Sequence, residues 1–151
     1  MSAPDARAGD EARRILALAG ADTFSAFQVL ERQLSVVVLR AQVLLSLCGI
    51  VITVTGFSGR AIAQTSLLAR VSITGGIFVV LAAAAVALVG VLGLTWMTQT
   101  LTDDPLATLA NAIQIRERKT RYLAVAQLLF VGGFALYCTA IAQLLMAARP
   151  V

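Results

Sequence analysis

The sequence has no histidine, which removes the commonest general base, the commonest zinc ligand and the side chain that titrates near neutral pH. Its two cysteines, Cys48 and Cys138, fall in separate apolar runs. Two thiols alone cannot complete a four-ligand metal site, so each is expected to be a small buried side chain, and no metal or cofactor is expected. Lysine occurs once, at Lys119. Charged residues of both signs make up only 13% of the chain, against 59% apolar. A soluble domain of this size still shows water roughly 30% of the surface its unfolded chain exposes, and these polar residues are too few to cover that. The scarcity of charge therefore excludes an ordinary soluble domain, a disordered chain and a disulfide-stapled secreted module.

What is present is long apolar segments with cations at their edges. The net charge is +4, from 12 Lys and Arg against 8 Asp and Glu. There is no long basic run and no basic face with interleaved aromatics, so nucleic acid is not an expected partner. The first apolar run begins around residue 36, after a polar lead of more than thirty residues. That is not the short basic start and early apolar core of a cleavable leader, so the first span is expected to persist in the mature chain.

The expected fold is all-α, an integral membrane bundle of three transmembrane helices over residues 39–57, 71–97 and 122–147. Residues 71–97 contain no charge at all, the strongest single signal in the chain. Residues 24–38 and 105–121 read as amphipathic helical extensions of the first and third spans, because no breaker separates them from the apolar runs. Asp22 or Thr23 is positioned to cap the first of these, and Asp103 or Asp104 followed by Pro105 the second. Upright extensions packed apolar face to apolar face are favoured over helices lying flat on the leaflet. Residues 1–22 are expected to be a flexible N-terminus holding a short helix from about Asp10 to Ala19, stopped by Gly20, and residues 23–151 the membrane domain.

Two sets of residues stand out. Ser72, Gly76, Ala83, Ala87 and Gly90 share one face of the second span, and Gly132–Gly133 sit mid-way along the third; small residues let helix backbones approach closely in lipid. Arg40, Trp96, Arg116, Arg118, Lys119, Arg121 and Tyr122 lie at span edges, where they are expected to meet lipid headgroups. Cations near the spans number six on the N-terminal side and three on the other. The N-terminus is thus expected in the cytoplasm of a cell-membrane protein and the C-terminus outside.

No catalytic constellation emerges. The spans carry no Asp, Glu or Lys, and Ser46 has no base nearby to activate it. Serine and threonine hydroxyls in spans are expected to bond to their own helix carbonyls, and Gln42 and Gln127 to bond across helices. The expected function is a non-enzymatic accessory or scaffold subunit whose partners are the lipid bilayer, further copies of itself and a membrane-protein partner. Self-association is expected because two narrow apolar rows in the extensions make a thin core that other copies would widen. The alternative is an oligomeric pore-forming or membrane-perturbing effector gated by the cytoplasmic helices.

Overall fold

The computed structural model describes residues 3–20, 22–57, 67–93 and 104–147. Among them every element is a helix: α1 (Ala3–Leu18), α2 (Thr23–Phe57), α3 (Leu67–Gly90) and α4 (Pro105–Ala147). Three of these, α2, α3 and α4, are long and apolar enough to cross a membrane. The 43 residues of α4 extend about 64 Å and the 35 of α2 about 52 Å, against about 36 Å for the 24 residues of α3. A hydrocarbon core is about 30 Å thick. The surplus length of α2 and α4 lies at one end, where α1 packs against both.

The buried clusters fix the topology. Ala8 and Ala12 of α1 meet Ala26 and Leu30 of α2 and Leu109, Ala112 and Ile113 of α4, forming a three-helix head. Further along, Ala41, Leu44, Cys48 and Val51 of α2 pack with Val80, Ala87 and Val91 beside α3 and with Leu123 and Ala126 of α4. At the far end Ile73 of α3 meets Tyr137 and Ala140 of α4. Residue numbers rise along α4 as they fall along α3, so these two run antiparallel, while α2 and α4 both run outward from the head.

The helix starts follow capping chemistry. Asp22 accepts hydrogen bonds from the Phe24 and Ser25 amides at 3.1 and 3.3 Å and from the Ser25 hydroxyl, satisfying donors that a helix N-terminus leaves orphaned. Asp104 accepts from the Leu106 amide at 3.0 Å, and Pro105 follows in the first turn. Gly20 ends the first helical segment with φ +65, a conformation glycine adopts without a Cβ penalty.

Two boundaries and one packing expectation differ from the sequence reading. First, α1 begins at Ala3 instead of Asp10, and Ala8 and Ala12 are almost wholly buried. Pro4 is tolerated in a first turn, and contacts of the Ala8–Ala12 face with the other helices outweigh the low helix propensity of Gly9. The segment read as a flexible terminus is a packed helix. Second, α3 ends at Gly90, inside the stretch 71–97, as Val91 and Leu92 both donate to the Ala87 carbonyl at 3.0 and 3.3 Å. It begins earlier too, at Leu67. Third, α1 supplies the wall that the thin core of the two extensions lacked, so the packing premise for self-association falls away.

Candidate functional site: an arginine cleft where the apolar segments begin

Charge stops abruptly on two helices. Arg40 is the last charged residue of α2 and Arg121 the last of α4 before their long apolar stretches. At this level α1, α2 and α4 enclose a cleft of about 860 Å³. Four arginines line it: Arg7 from α1, Arg40 from α2, and Arg116 and Arg121 from α4. Among the described residues Glu117 is the one acid on the wall, Gln33 and Thr120 add polar groups, and Val36 and Val37 are apolar.

Arg116 holds the three helices together. Its guanidinium donates to Gln33 Oε1 of α2 at 2.6 Å and pairs with Glu11 of α1 at 3.0 Å. Its side chain is 19% exposed. It was read as a headgroup-facing collar residue; the structure turns it inward as the latch of the head. Its fork geometry suits this, since a guanidinium can serve two acceptors at once. The other three arginines are exposed, and among the described residues none of them has an ion-pair partner. Thr120 sends its hydroxyl proton to the Arg116 carbonyl at 2.8 Å, which leaves its oxygen able to accept.

A second, smaller groove of about 350 Å³ lies along the apolar part of α2 and α4. Leu39, Val43, Leu44 and Leu47 form its apolar wall and Gln127 one side. Arg40 lines both cavities. Gln127 thus belongs to a groove wall; no hydrogen bond from its side chain to another helix occurs among the described residues.

The remaining collar residues occupy the other side of α4. Arg118 and Tyr122 line a cavity of about 530 Å³ against Ala85, Val86, Val89 and Gly90 of α3. The Tyr122 ring lies on Gly90 so closely that a Cβ there would fall 2.4 Å from it. Lys119 donates to the Gly93 carbonyl at 3.4 Å, just past the C-terminus of α3, where a cation is favoured by the helix dipole. Burial, and to a lesser degree the neighbouring Arg118, lower the Lys119 pKa. Trp96 lies outside the described residues.

The small residues serve α3–α4 contact within the chain. A Cβ on Gly76 would meet the Gly133 carbonyl oxygen at 2.9 Å, and one on Gly133 would meet the Gly76 oxygen at the same distance. Ala83 and Ala87 are fully buried and Ser72 is half-buried. Gly132, by contrast, has open space at its Cβ position. The span hydroxyls turn to their own helices: Ser46 donates to the Gln42 carbonyl, Thr53 to Gly49 and Thr55 to Val51 at 2.7–3.0 Å. Cys48 is buried and Cys138 exposed, and both are free.

Arg7 and Gln33 are among the cleft residues that the sequence reading did not single out. The available signal was the i, i+4 spacing of Arg7 and Glu11, which matters only once the helix is known to start before Arg7. In comparisons with known proteins, no family model, no curated protein and no solved structure matches the chain.

Proposed function

We propose that the chain is a multi-pass cell-membrane protein with its three-helix head in the cytoplasm and its C-terminus outside, and that it works as a non-enzymatic accessory subunit that binds and positions other components. One observation carries the reading: many large apolar side chains of the three long helices face away from the protein. Phe57, Leu128 and Val89 are 88%, 74% and 77% exposed. Such an outward belt is unfavourable in water and ordinary in lipid. Sidedness is supported by the cations near the spans: Arg32, Arg40, Arg116, Arg118, Lys119 and Arg121 on the head side against Arg60, Arg70 and Arg149 on the other.

The binding role is supported by the arginine cleft, whose guanidiniums recognise anions. A pore within one copy would need a polar lumen. The described interior instead holds Ala41, Leu44, Cys48, Val80 and Ala126, and the buried Thr55 hydroxyl is tied to its own helix. Self-association belongs to this proposal only through the outward faces of the spans, because the apolar rows of the head are already covered by α1.

Carbonate-washed membranes from expressing cells should retain the protein, and an N-terminal tag should be digested only in inside-out vesicles. Release into the carbonate supernatant would end the membrane reading, and digestion in right-side-out vesicles would reverse the sidedness. Proteoliposomes should hold an entrapped dye; leakage would favour the pore.

A further inference from the structure

We propose that the arginine cleft and the groove beneath it form one binding site for an anionic phospholipid of the inner leaflet, with the phosphate among Arg7, Arg40 and Arg121 and an acyl chain along Val43 and Leu47. The inference rests on the membrane reading above and adds the ligand class.

Three observations converge on it. Among the described residues the cleft carries four guanidiniums against a single lining carboxylate, and only Arg116 is committed to an acid elsewhere in the protein. Guanidiniums bind phosphate oxygens in pairs through a planar fork, which makes such a cluster selective for phosphate over a zwitterionic surface. The cleft also sits at the depth where charge ends on both α2 and α4, the level of lipid headgroups. Finally, Arg40 is shared with an apolar groove that leads along the span. A soluble phosphate has no use for that groove; a lipid fills both cavities at once.

The arrangement also links occupancy to the head. Arg7 belongs to α1, whereas Arg40 and Arg121 belong to α2 and α4. A phosphate bridging them adds to the Arg116 latch, so the bound lipid holds α1 in place. The head then becomes most stable in a membrane rich in anionic lipid, which gives an accessory subunit a means of sensing its leaflet.

The test uses the full chain purified in a non-ionic detergent and first shown to resist carbonate extraction from membranes. Dioctanoyl phosphatidylglycerol, dioctanoyl phosphatidylcholine and glycerol 3-phosphate are titrated separately, and binding is counted by native mass spectrometry alongside thermal unfolding. One phosphatidylglycerol should bind saturably and raise the unfolding temperature. Replacing two of the cations, as R40Q with R121Q, should weaken that binding by about tenfold or more while the ligand-free protein unfolds as the parent does. Filling the groove with V43W should weaken lipid binding and leave glycerol 3-phosphate unaffected. Equal binding of phosphatidylcholine would overturn the preference for an anionic lipid, and undiminished binding by R40Q/R121Q would overturn the arginine site. Equal binding of glycerol 3-phosphate would overturn the lipid and leave a soluble anion. A chain that is carbonate-resistant but binds none of the three refutes this inference alone; one released by carbonate refutes the membrane reading instead.

Discussion

In the head, Leu30, Leu109 and Ile113 are fully buried while Arg13, Arg14, Glu31 and Arg32 are exposed. Further along the same two helices large aliphatic side chains lie on both sides: Ala41, Leu44, Leu123 and Ala126 are inside, and Leu39, Leu47, Val125 and Leu128 are outside. Neither α2 nor α4 is interrupted at the changeover. On the membrane reading proposed above, one continuous helix meets two surroundings. Water outside the head favours removal of aliphatic surface, so Leu30, Leu109 and Ile113 turn inward and few large side chains need face out. Hydrocarbon around the rest leaves a leucine little to gain by turning inward, and close backbone approach at Gly76 and Gly133 adds to the packing. The arginine cleft lies at the changeover, the one level where phosphate and acyl chain are both at hand.

The largest effect should come from attacking the small-residue contact. Gly133→Leu places a side chain where even a Cβ sits 2.9 Å from the Gly76 oxygen and 3.0 Å from the Val80 amide. Because the obstacle is backbone, α3 and α4 must separate, and the variant should fail to give a folded species in detergent. Its neighbour Gly132 has open space at the same position, so Gly132→Ala should unfold at or slightly above the parental temperature. Equal behaviour of the two variants would mean that the α3–α4 crossing is placed wrongly.

The head should answer to the opposite change. Leu109→Ala removes a wholly buried side chain from a cluster of seven buried residues. The cost should be about 2–5 kcal/mol, read from chemical unfolding of the head. The same truncation at Leu128, which is 74% exposed, should leave unfolding within about 0.5 kcal/mol of the parent. If both variants are equally harmful, the division into an inward and an outward region is wrong.

Much of this division could be read from the residues themselves. The apolar spacing of Leu30 and Leu34 and of Leu109 and Ile113 carried the helical extensions, and the charge-free second span carried the membrane. Asp22 and Asp104 marked their helix starts because a carboxylate before a helix has a specific orphan amide to meet. Two features were not legible. Ala8 and Ala12 form too weak a pattern to announce a packed helix, since alanine is as common outside as inside; only the gap between α2 and α4 gives them a purpose. The partners of the glycines were equally hidden. A sequence shows that Gly76 and Gly133 are small, and it cannot show that they face each other while Gly132 faces outward. The Arg116 ion pair was hidden for a related reason: membership of a basic run does not show that one member points at Glu11.

A smaller effect is expected at the latch. Arg116→Met removes the ion pair to Glu11 and the hydrogen bond to Gln33 but keeps an apolar stem. Glu11 is 38% exposed, so solvent screening limits the loss to about 1 kcal/mol or less, measurable as earlier amide exchange in α1 than in α2. Exchange unchanged in α1 would show that the alanine contacts alone hold it. The smallest effect concerns Asp22, whose pKa is lowered by the hydrogen bonds from the Ser25 hydroxyl and from the Phe24 amide. A carboxyl with a lower pKa in the folded state stabilises that state above its unfolded value of about 3.9, and the contribution is lost as the pH falls through the folded value. Acid should therefore fray the first turn of α2 before it affects the spans, which hold no titratable carboxylate. Asp22→Asn keeps an acceptor but removes the titration, so its exchange rates at Phe24 and Ser25, compared with the neutral-pH values after correction for intrinsic exchange, should show no such acid-induced step. An equal step in the variant would assign the fraying to another group.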